Sequence, residues 1–304
     1  MSDIFDVVIV GGGAAGLSAA LVLGRCRRRV LLCDSGQPRN RASSAVHCLL
    51  GREGIGPSDL LRSGHLEIKS YDAVTLLAKR VTAITPTENQ FVVDCGEECT
   101  WVARKVLLST GLVDEVPRLR GIEKLYGKSV HHCPYCDGFE YRDQPLAVYG
   151  VADKGAGLAL MMTQWSTDIV LLTDGPSQIS PEIEARLQRH RVPVYSEQIA
   201  EVEGTDGGAL QFIHLHGGKT LKRNALFFTT GCHQASELSA SLGCVRDEKG
   251  GIVVDPVTEE SSVPGVYVAG DASRDVLLVA VAIGEGAKAG VAINRALLQE
   301  DGLG

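Results

Sequence analysis

The chain reads as an α/β protein built from dinucleotide-binding βαβ units. Three observations predict that class. A glycine fingerprint, Gly11-x-Gly13-x-x-Gly16, directly follows an apolar, β-branched run and opens an apolar helical run. A second apolar strand ending in an acid comes about twenty residues later, where such a unit needs it. A looser strand, turn and helix pattern then recurs from Leu146 onward.

Asp6 to Val10 is a fully buried strand by its continuous apolar character, and Ala15 to Leu23 continues as a helix. The glycines between them permit a tight turn, close backbone approach to a pyrophosphate and close helix–strand packing. The helix N-terminus then offers free N–H groups and a positive dipole to phosphates. Gly11, Gly13, Ala14, Ala15 and Gly16 are therefore candidate cofactor-binding residues. Val30 to Cys33 is the second strand, and the Asp34 carboxylate after it can accept bonds from ribose hydroxyls. The basic cluster Arg25 to Arg29 reads as a solvated helix end, where cations also meet a favourable dipole.

Lys105 to Gly111 is another strand, ending in Thr110-Gly111. Gly265 to Asp271 is a short strand ending in Gly270-Asp271, followed by a helical pattern from Val276 to Leu298. Between these, Leu146 to Gly150 is a strand, Gly155 to Trp165 a helix and Asp168 to Thr173 a strand ending at Asp174. The middle thus repeats the plan of the start.

The 304 residues are enough for two domains, and a hydrophobic content of 44% with 35 glycines suits a compact α/β protein. A net charge of −7 argues against a nucleic-acid role, which needs a basic face. No apolar stretch approaches the ~20 residues that span a membrane. The N-terminus carries acids where a secretory signal carries lysine or arginine, so a cytoplasmic location is expected. Most of the nine cysteines should then be reduced thiols with no special task. Cys95 and Cys99 have the wrong spacing and no histidine neighbours for a metal, and no metal site is expected.

Cys133-Pro134-Tyr135-Cys136, followed by Asp137-Gly138, is the exception. Two thiols two residues apart can close a small disulfide and reopen it. Proline restricts the loop, and a carboxylate beside the second sulfur can carry a proton. Half a zinc site is the competing reading, but the chain has one such cysteine pair and His131 and His132 are too close to complete a tetrahedron. The two histidines either exchange protons with the pair or bond to backbone.

With the N-terminal fingerprint, Thr110-Gly111, Gly270-Asp271 and Cys133-x-x-Cys136-Asp137-Gly138 in this order, the chain resembles the thioredoxin reductase family of FAD flavoproteins over nearly its whole length. The resemblance implies two Rossmann-like domains, the second inserted into the first. Residues 1–113 and 246–304 would bind FAD, and residues 114–245 would form an NAD(P)H-like domain carrying the disulfide. It also implies FAD contacts from Asp34, Ser35, Arg39, Asn40, His47, Val81, Thr110, Gly111, Gly270 and Asp271. Cys136 would be the sulfur nearest the flavin, Cys133 the interchange thiol and Asp137 the acid/base. A homodimer is a further implication.

The inserted repeat departs from the family. Its fingerprint reads Gly150-Val-Ala152-Asp-Lys-Gly155, and Thr173-Asp174-Gly175-Pro176 stands where an arginine cluster normally clamps the NADPH 2′-phosphate. A carboxylate there repels phosphate. Gly150, Gly155 and Asp174 are thus a candidate second nucleotide site, but not an NADPH site. Electrons would come from another donor, such as ferredoxin or NADH. They would pass through FAD and the Cys133–Cys136 disulfide to a protein disulfide such as thioredoxin, or to a small disulfide substrate. The alternative is a flavin-dependent dithiol oxidase that hands electrons to oxygen, since proline in the tetrad resembles oxidases acting on small dithiols.

Overall fold

A computed structural model describes residues 4–96, 99–273 and 276–304. Its contacts divide the chain into two compact units. One comprises Met1–Arg41, Cys48–Val113 and Cys232–Gly304, and the other Ala42–His47 and Asp114–Gly231.

The first unit opens with strand β1 (Ile4–Val10), helix α1 (Ala14–Arg25) and strand β2 (Val30–Cys33). Helix α2 (Pro57–Ile68) and strand β3 (Val74–Leu77) follow, then β4 (Ala83–Pro86), β5 (Phe91–Asp94), β6 (Thr100–Leu108) and β7 (Leu112–Asp114). β3, β2, β1 and β6 are parallel neighbours, while β5 and β4 extend the sheet in antiparallel sense. β1 is buried on both faces. Val8 and Val10 join one core and Val7 and Ile9 the other, which is why the strand reads as a continuous apolar run.

The second unit begins with β8 (Val130–His131), a short helix α3 (Pro134–Asp137) and β9 (Leu146–Tyr149). It continues through α4 (Ala152–Met162), β10 (Ile169–Leu172), α5 (Pro181–Arg189) and β11 (Val194–Tyr195). Three antiparallel strands follow, β12 (Ile199–Gly204), β13 (Leu210–Leu215) and β14 (Thr220–Lys222), and then β15 (Ala225–Phe228). The parallel sheet has the order β11-β10-β9-β15-β8. The unit therefore repeats the first one, a parallel sheet with an antiparallel three-stranded appendage. The expected α/β class with two Rossmann-like folds is the observed one.

The chain returns to the first unit through β16 (Cys232–Gln234), α6 (Leu238–Ser241), β17 (Val266–Val268) and α7 (Val279–Glu300). The return crossing lies at Gly231–Cys232, earlier than the expected 245–246. The reason is packing: Leu238, Leu242 and Cys244 all belong to a core of the first unit. β17 pairs with the C-terminal half of β6, whose N-terminal half is held by β5. α7 lies along α1, and close approach is required there. A Cβ on Gly286 would sit 2.1 Å from the Ala15 carbonyl oxygen.

The basic cluster after α1 is the exposed helix end that the sequence suggests at Arg25, Arg27 and Arg29, and Arg28 is the exception. Arg28 Nε donates to Asn294 Oδ1 at 2.8 Å, and its Nη1 meets Asp301 Oδ2 at 2.7 Å. Arg104 meets Asp6, Glu300 and Asp301 at 3.2, 2.9 and 2.8 Å, and Lys105 also pairs with Glu300. These contacts tie the end of α7 to β1 and β6.

Candidate functional site

In the first unit the predicted residues converge on the N-terminus of α1. Gly11 has φ +105°, and a Cβ there would meet the Ser109 carbonyl oxygen at 2.3 Å. Ser109 Oγ donates to the Gly11 and Val10 carbonyls at 2.8 and 3.1 Å, so β6 braces the turn. Gly16 packs against the same turn, since its Cβ would stand 1.9 Å from the Gly11 carbonyl oxygen. Gly13 differs, because a Cβ there would find nothing within 4 Å. It is the N-cap of α1, and no side chain caps the helix. The first N–H groups of α1 therefore lack intrahelical acceptors beside open space, with Ala14 and Ala15 in the first turn.

Asp34 leans over this turn. A Cβ on Gly12 would come within 2.7 Å of its carboxyl carbon. The Asp34 carboxylate is half-buried and takes no hydrogen bond from a described residue. Gly270, at φ +77°, closes the opposite side, with its Cβ position 3.0 Å from the Ala15 methyl. Its N–H donates to the buried Glu285 Oε2 at 2.6 Å. Next to it, Asp271 Oδ2 meets Arg39 Nη1 at 2.7 Å, joining two residues that the sequence placed separately.

The remaining predicted residues are spread more widely. Ser35 is exposed after Asp34, and Asn40 lies in the short 3-10 turn Arg39–Ala42. Thr110 and Gly111 follow β6, with the Gly111 carbonyl accepting from Ala235 N at 3.1 Å. Val81 is buried in the core that contains Val10 and Cys33. His47 belongs by its contacts to the second unit, where its Nε2 lies 3.6 Å from Glu140 Oε1. Ser109 and Glu285 escaped the sequence reading. A small polar residue closing the apolar run Val106 to Leu108 was the available signal for the first. A lone glutamate in an apolar helix was the signal for the second.

In the second unit, Pro134 starts α3 and Cys133 caps it with extended backbone, φ −115°. Proline suits the first helical position, where its missing N–H has no intrahelical partner anyway. The turn brings Cys133 and Cys136 together as a disulfide, with the Cα atoms 5.3 Å apart. Cys133 Sγ also accepts the Cys136 N–H at 3.2 Å. His131 sits at the end of β8, only 5% exposed, packed against the Tyr141 and Phe227 rings. Its Nδ1 lies 3.2 Å from Asp137 Oδ1, and its Nε2 lies 3.0 Å from the Lys128 carbonyl oxygen. His132 points elsewhere, its Nδ1 3.8 Å from Asp114 Oδ2. Tyr135 is 63% exposed and meets Trp165 edge-on, and with Leu160, Met161, Thr163 and Gln164 the two line a cleft of about 420 Å³.

In the candidate second nucleotide site the predicted residues make contacts within the chain. Gly150 and Gly155 face each other, with the Gly155 Cβ position 2.3 Å from the Gly150 carbonyl carbon. Their glycines thus serve strand–helix packing. Asp174, at φ +52°, turns its carboxylate inward, accepting the Ile199 N–H at 2.6 Å and the Tyr149 hydroxyl at 3.4 Å. Burial and the Asp174 charge push the Tyr149 phenol up. Ser177 Oγ accepts the Ala152 N–H at the start of α4 at 2.7 Å, and Asp153 Oδ1 accepts the Ser180 N–H at 2.7 Å.

Elsewhere, Cys33 and Cys95 Sγ lie 3.9 Å apart in a core with Cys99, and all three are free thiols. Burial, reinforced by Cys95, pushes the Cys33 thiol far up, which leaves it inert. Among the described residues there is no group of three or more ligands placed to hold a metal ion. No described helix is long and apolar enough to cross a membrane.

Comparison with known proteins agrees with this geometry. The family model for pyridine nucleotide-disulphide oxidoreductases matches residues 5–286. The chain is 28% identical over 309 residues to a thioredoxin reductase of Claviceps purpurea, covering 98% of this chain and 96% of that one. A probable thioredoxin reductase of Arthroderma benhamiae is 28% identical over 301 residues, 89% of this chain and 74% of that one. Among solved structures, the putative thioredoxin reductase TrxB of Bacillus anthracis superposes with a TM-score of 0.91 at 32% identity, over 98% and 99% of the two chains. HlmI superposes with a TM-score of 0.92 at 35% identity, over 98% and 93%. The chain is a thioredoxin reductase-like flavin disulfide oxidoreductase and belongs to the pyridine nucleotide-disulphide oxidoreductase family.

Proposed function

We propose that the chain passes two electrons between a bound FAD and the Cys133–Cys136 disulfide, and on to a protein disulfide such as thioredoxin, without NADPH as donor. FAD, when bound, supplies a two-electron store. The first unit fits it. The uncapped start of α1 beside Gly13 suits a pyrophosphate, and the Asp34 carboxylate, without a hydrogen bond from a described residue, suits a ribose. Thr110, Gly111, Gly270 and Asp271 stand at the ends of neighbouring strands of the same sheet, with Arg39 holding the Asp271 carboxylate. Ser35, Asn40 and Val81 keep their proposed roles as cofactor contacts, whereas His47 falls in the second unit and drops out of the proposed site.

The second unit supplies the thiols. Cys136 is the proposed flavin-side sulfur and Cys133 the interchange sulfur, with Asp137 handling the proton. The thioredoxin reductases among the relatives support a thioredoxin-like partner, and family likeness supports a homodimer in the cytoplasm.

One observation carries the donor assignment. Ser177 and Asp174 use their own oxygen atoms to satisfy the N–H groups of Ala152 and Ile199. A dinucleotide would have to displace the first, and the second turns the ribose-binding acid away. A negative charge at Asp153 further opposes a phosphate near the start of α4. The test is anaerobic mixing of the flavin-loaded protein with NADPH, NADH, reduced ferredoxin or a small dithiol, following flavin absorbance. Slow or absent bleaching by NADPH is expected, together with rapid bleaching by one of the others. Rapid bleaching by NADPH would overturn the assignment, and dithiol-driven bleaching followed by oxygen uptake once air is admitted would reverse the direction of flow.

A further inference from the structure

The contacts of His131 fix a proton count. A carbonyl oxygen only accepts, so Nε2, 3.0 Å from the Lys128 oxygen, must carry a hydrogen. In the neutral ring that leaves a lone pair on Nδ1, aimed at a carboxylate oxygen 3.2 Å away. Two lone pairs at that distance repel. One further proton must lie between them, either on the imidazole or on Asp137.

We propose that His131 is a positioning residue that holds a proton between itself and Asp137 for the thiolate formed when the Cys133–Cys136 disulfide opens. The inference rests on the redox reading of that disulfide. In the step, two electrons from the reduced flavin, or from an added dithiol, break the S–S bond. One sulfur leaves as a thiolate and the other takes the proton held by the pair, becoming a thiol. The pair is left as neutral imidazole and carboxylate, and it recovers its proton from water or from the thiol on reoxidation.

The surroundings suit a proton held in reserve. Besides Asp137, the ionisable groups near His131 come from three places. Tyr141 packs against the ring at a tilt and donates its hydroxyl to the same Lys128 carbonyl. Its phenol is pushed up to about 12 by burial, then by the Asp137 and Glu140 charges, so it stays protonated at neutral pH. Glu140 reaches toward His47, and the neighbouring His132 toward Asp114. Phe227 closes the remaining side with an apolar ring.

The experiment is the pH dependence of disulfide reduction by dithiothreitol in the flavin-loaded protein, corrected for the reagent's own thiolate fraction. Wild type sets the reference rate and profile. H131Q, whose amide can still donate to Lys128, should lose about 10–100-fold at neutral pH, within the range of general acid catalysis, and should change the shape of the profile. D137N should lose as much, and the double variant no more than either single one. Wild-type rate and profile in H131Q, or additive losses in the double variant, would overturn the proposal. A second readout needs no variant. The His131 ring nitrogens in 15N-histidine-labelled protein should shift when the disulfide is reduced at constant pH, and unchanged resonances would also overturn it. Failure of the redox reading shows separately, as a reduced Cys133–Cys136 pair that exchanges no electrons with the flavin.

Discussion

Asp34 and Asp174 end equivalent strands of the two βαβ units, yet only one presents a carboxylate without a hydrogen bond from a described residue. Asp34→Ala should release flavin about tenfold or more readily, since a hydrogen bond to a charged group contributes about 1.5–3 kcal/mol. Equilibrium dialysis of the flavin reads this, and unchanged affinity would move the contact elsewhere. Asp174→Ala should leave flavin retention alone and lower stability by about 1–3 kcal/mol, because the half-buried Ile199 N–H loses its acceptor. Asp174→Asn should cost less, since asparagine tolerates a left-handed backbone and keeps an acceptor. Thermal unfolding of the two variants checks the order. The sequence shows an acid at the end of each strand, but not the N–H group that arrives from 25 positions later to meet Asp174. The same limit applies to His131. Its place before the cysteines was legible, whereas its partnership with Asp137 depends on a helix of four residues turning back toward β8.

The elements with strong periodicity were legible to within a few residues. β2 has the predicted bounds, and α1 begins one residue earlier and ends two later than its apolar run. The short antiparallel strands were not. β12 and β13 expose several of their residues, pair with register shifts and carry glutamate, glutamine and histidine among their apolar positions. No run long enough to register as a strand survives that mixture. The crossing of α1 and α7 was also hidden, since it depends on Gly286 facing Ala15 from the far end of the chain. Gly286→Ala must push the two helices apart, at a cost of about 1–3 kcal/mol from overpacking. Because Ala15 stands in the fingerprint turn, flavin retention should fall with the melting temperature. A lowered melting temperature with unaltered flavin affinity would separate the crossing from the site.

At the scale of the molecule, the charges at the end of α7 make a pH prediction. The Glu300 carboxyl is largely exposed; the little burial it has pushes it up, but hydrogen bonds from Lys105 and Arg104 hold it below its ordinary range. A depressed folded value means that its contribution is complete above the unfolded value of 4.5 and is lost as pH falls through the folded one. Stability should therefore drop on the acid side of 4.5, and Arg104→Ala should flatten that drop in acid titrations followed by circular dichroism. Cys136→Ser belongs to this scale too. It should abolish turnover while flavin content stays at the wild-type level, because the proposed cofactor site and the thiols lie in different units; loss of flavin would contradict that division.

The divided partnership of β6 has a consequence for the order in which the protein takes shape during synthesis. Val106 to Leu108 wait for Val266 to Val268, which leave the ribosome only after all of Asp114–Gly231 has been made. Apart from Ala42–His47, which are made earlier still, the second unit is a single stretch of chain. Domains fold as units when their residues are available. The unit that carries the thiols can thus be finished while the sheet proposed to hold the flavin still has an open edge along β6. A nascent chain stalled after Gly231 should already resist protease over Asp114–Gly231 and have no hold on flavin.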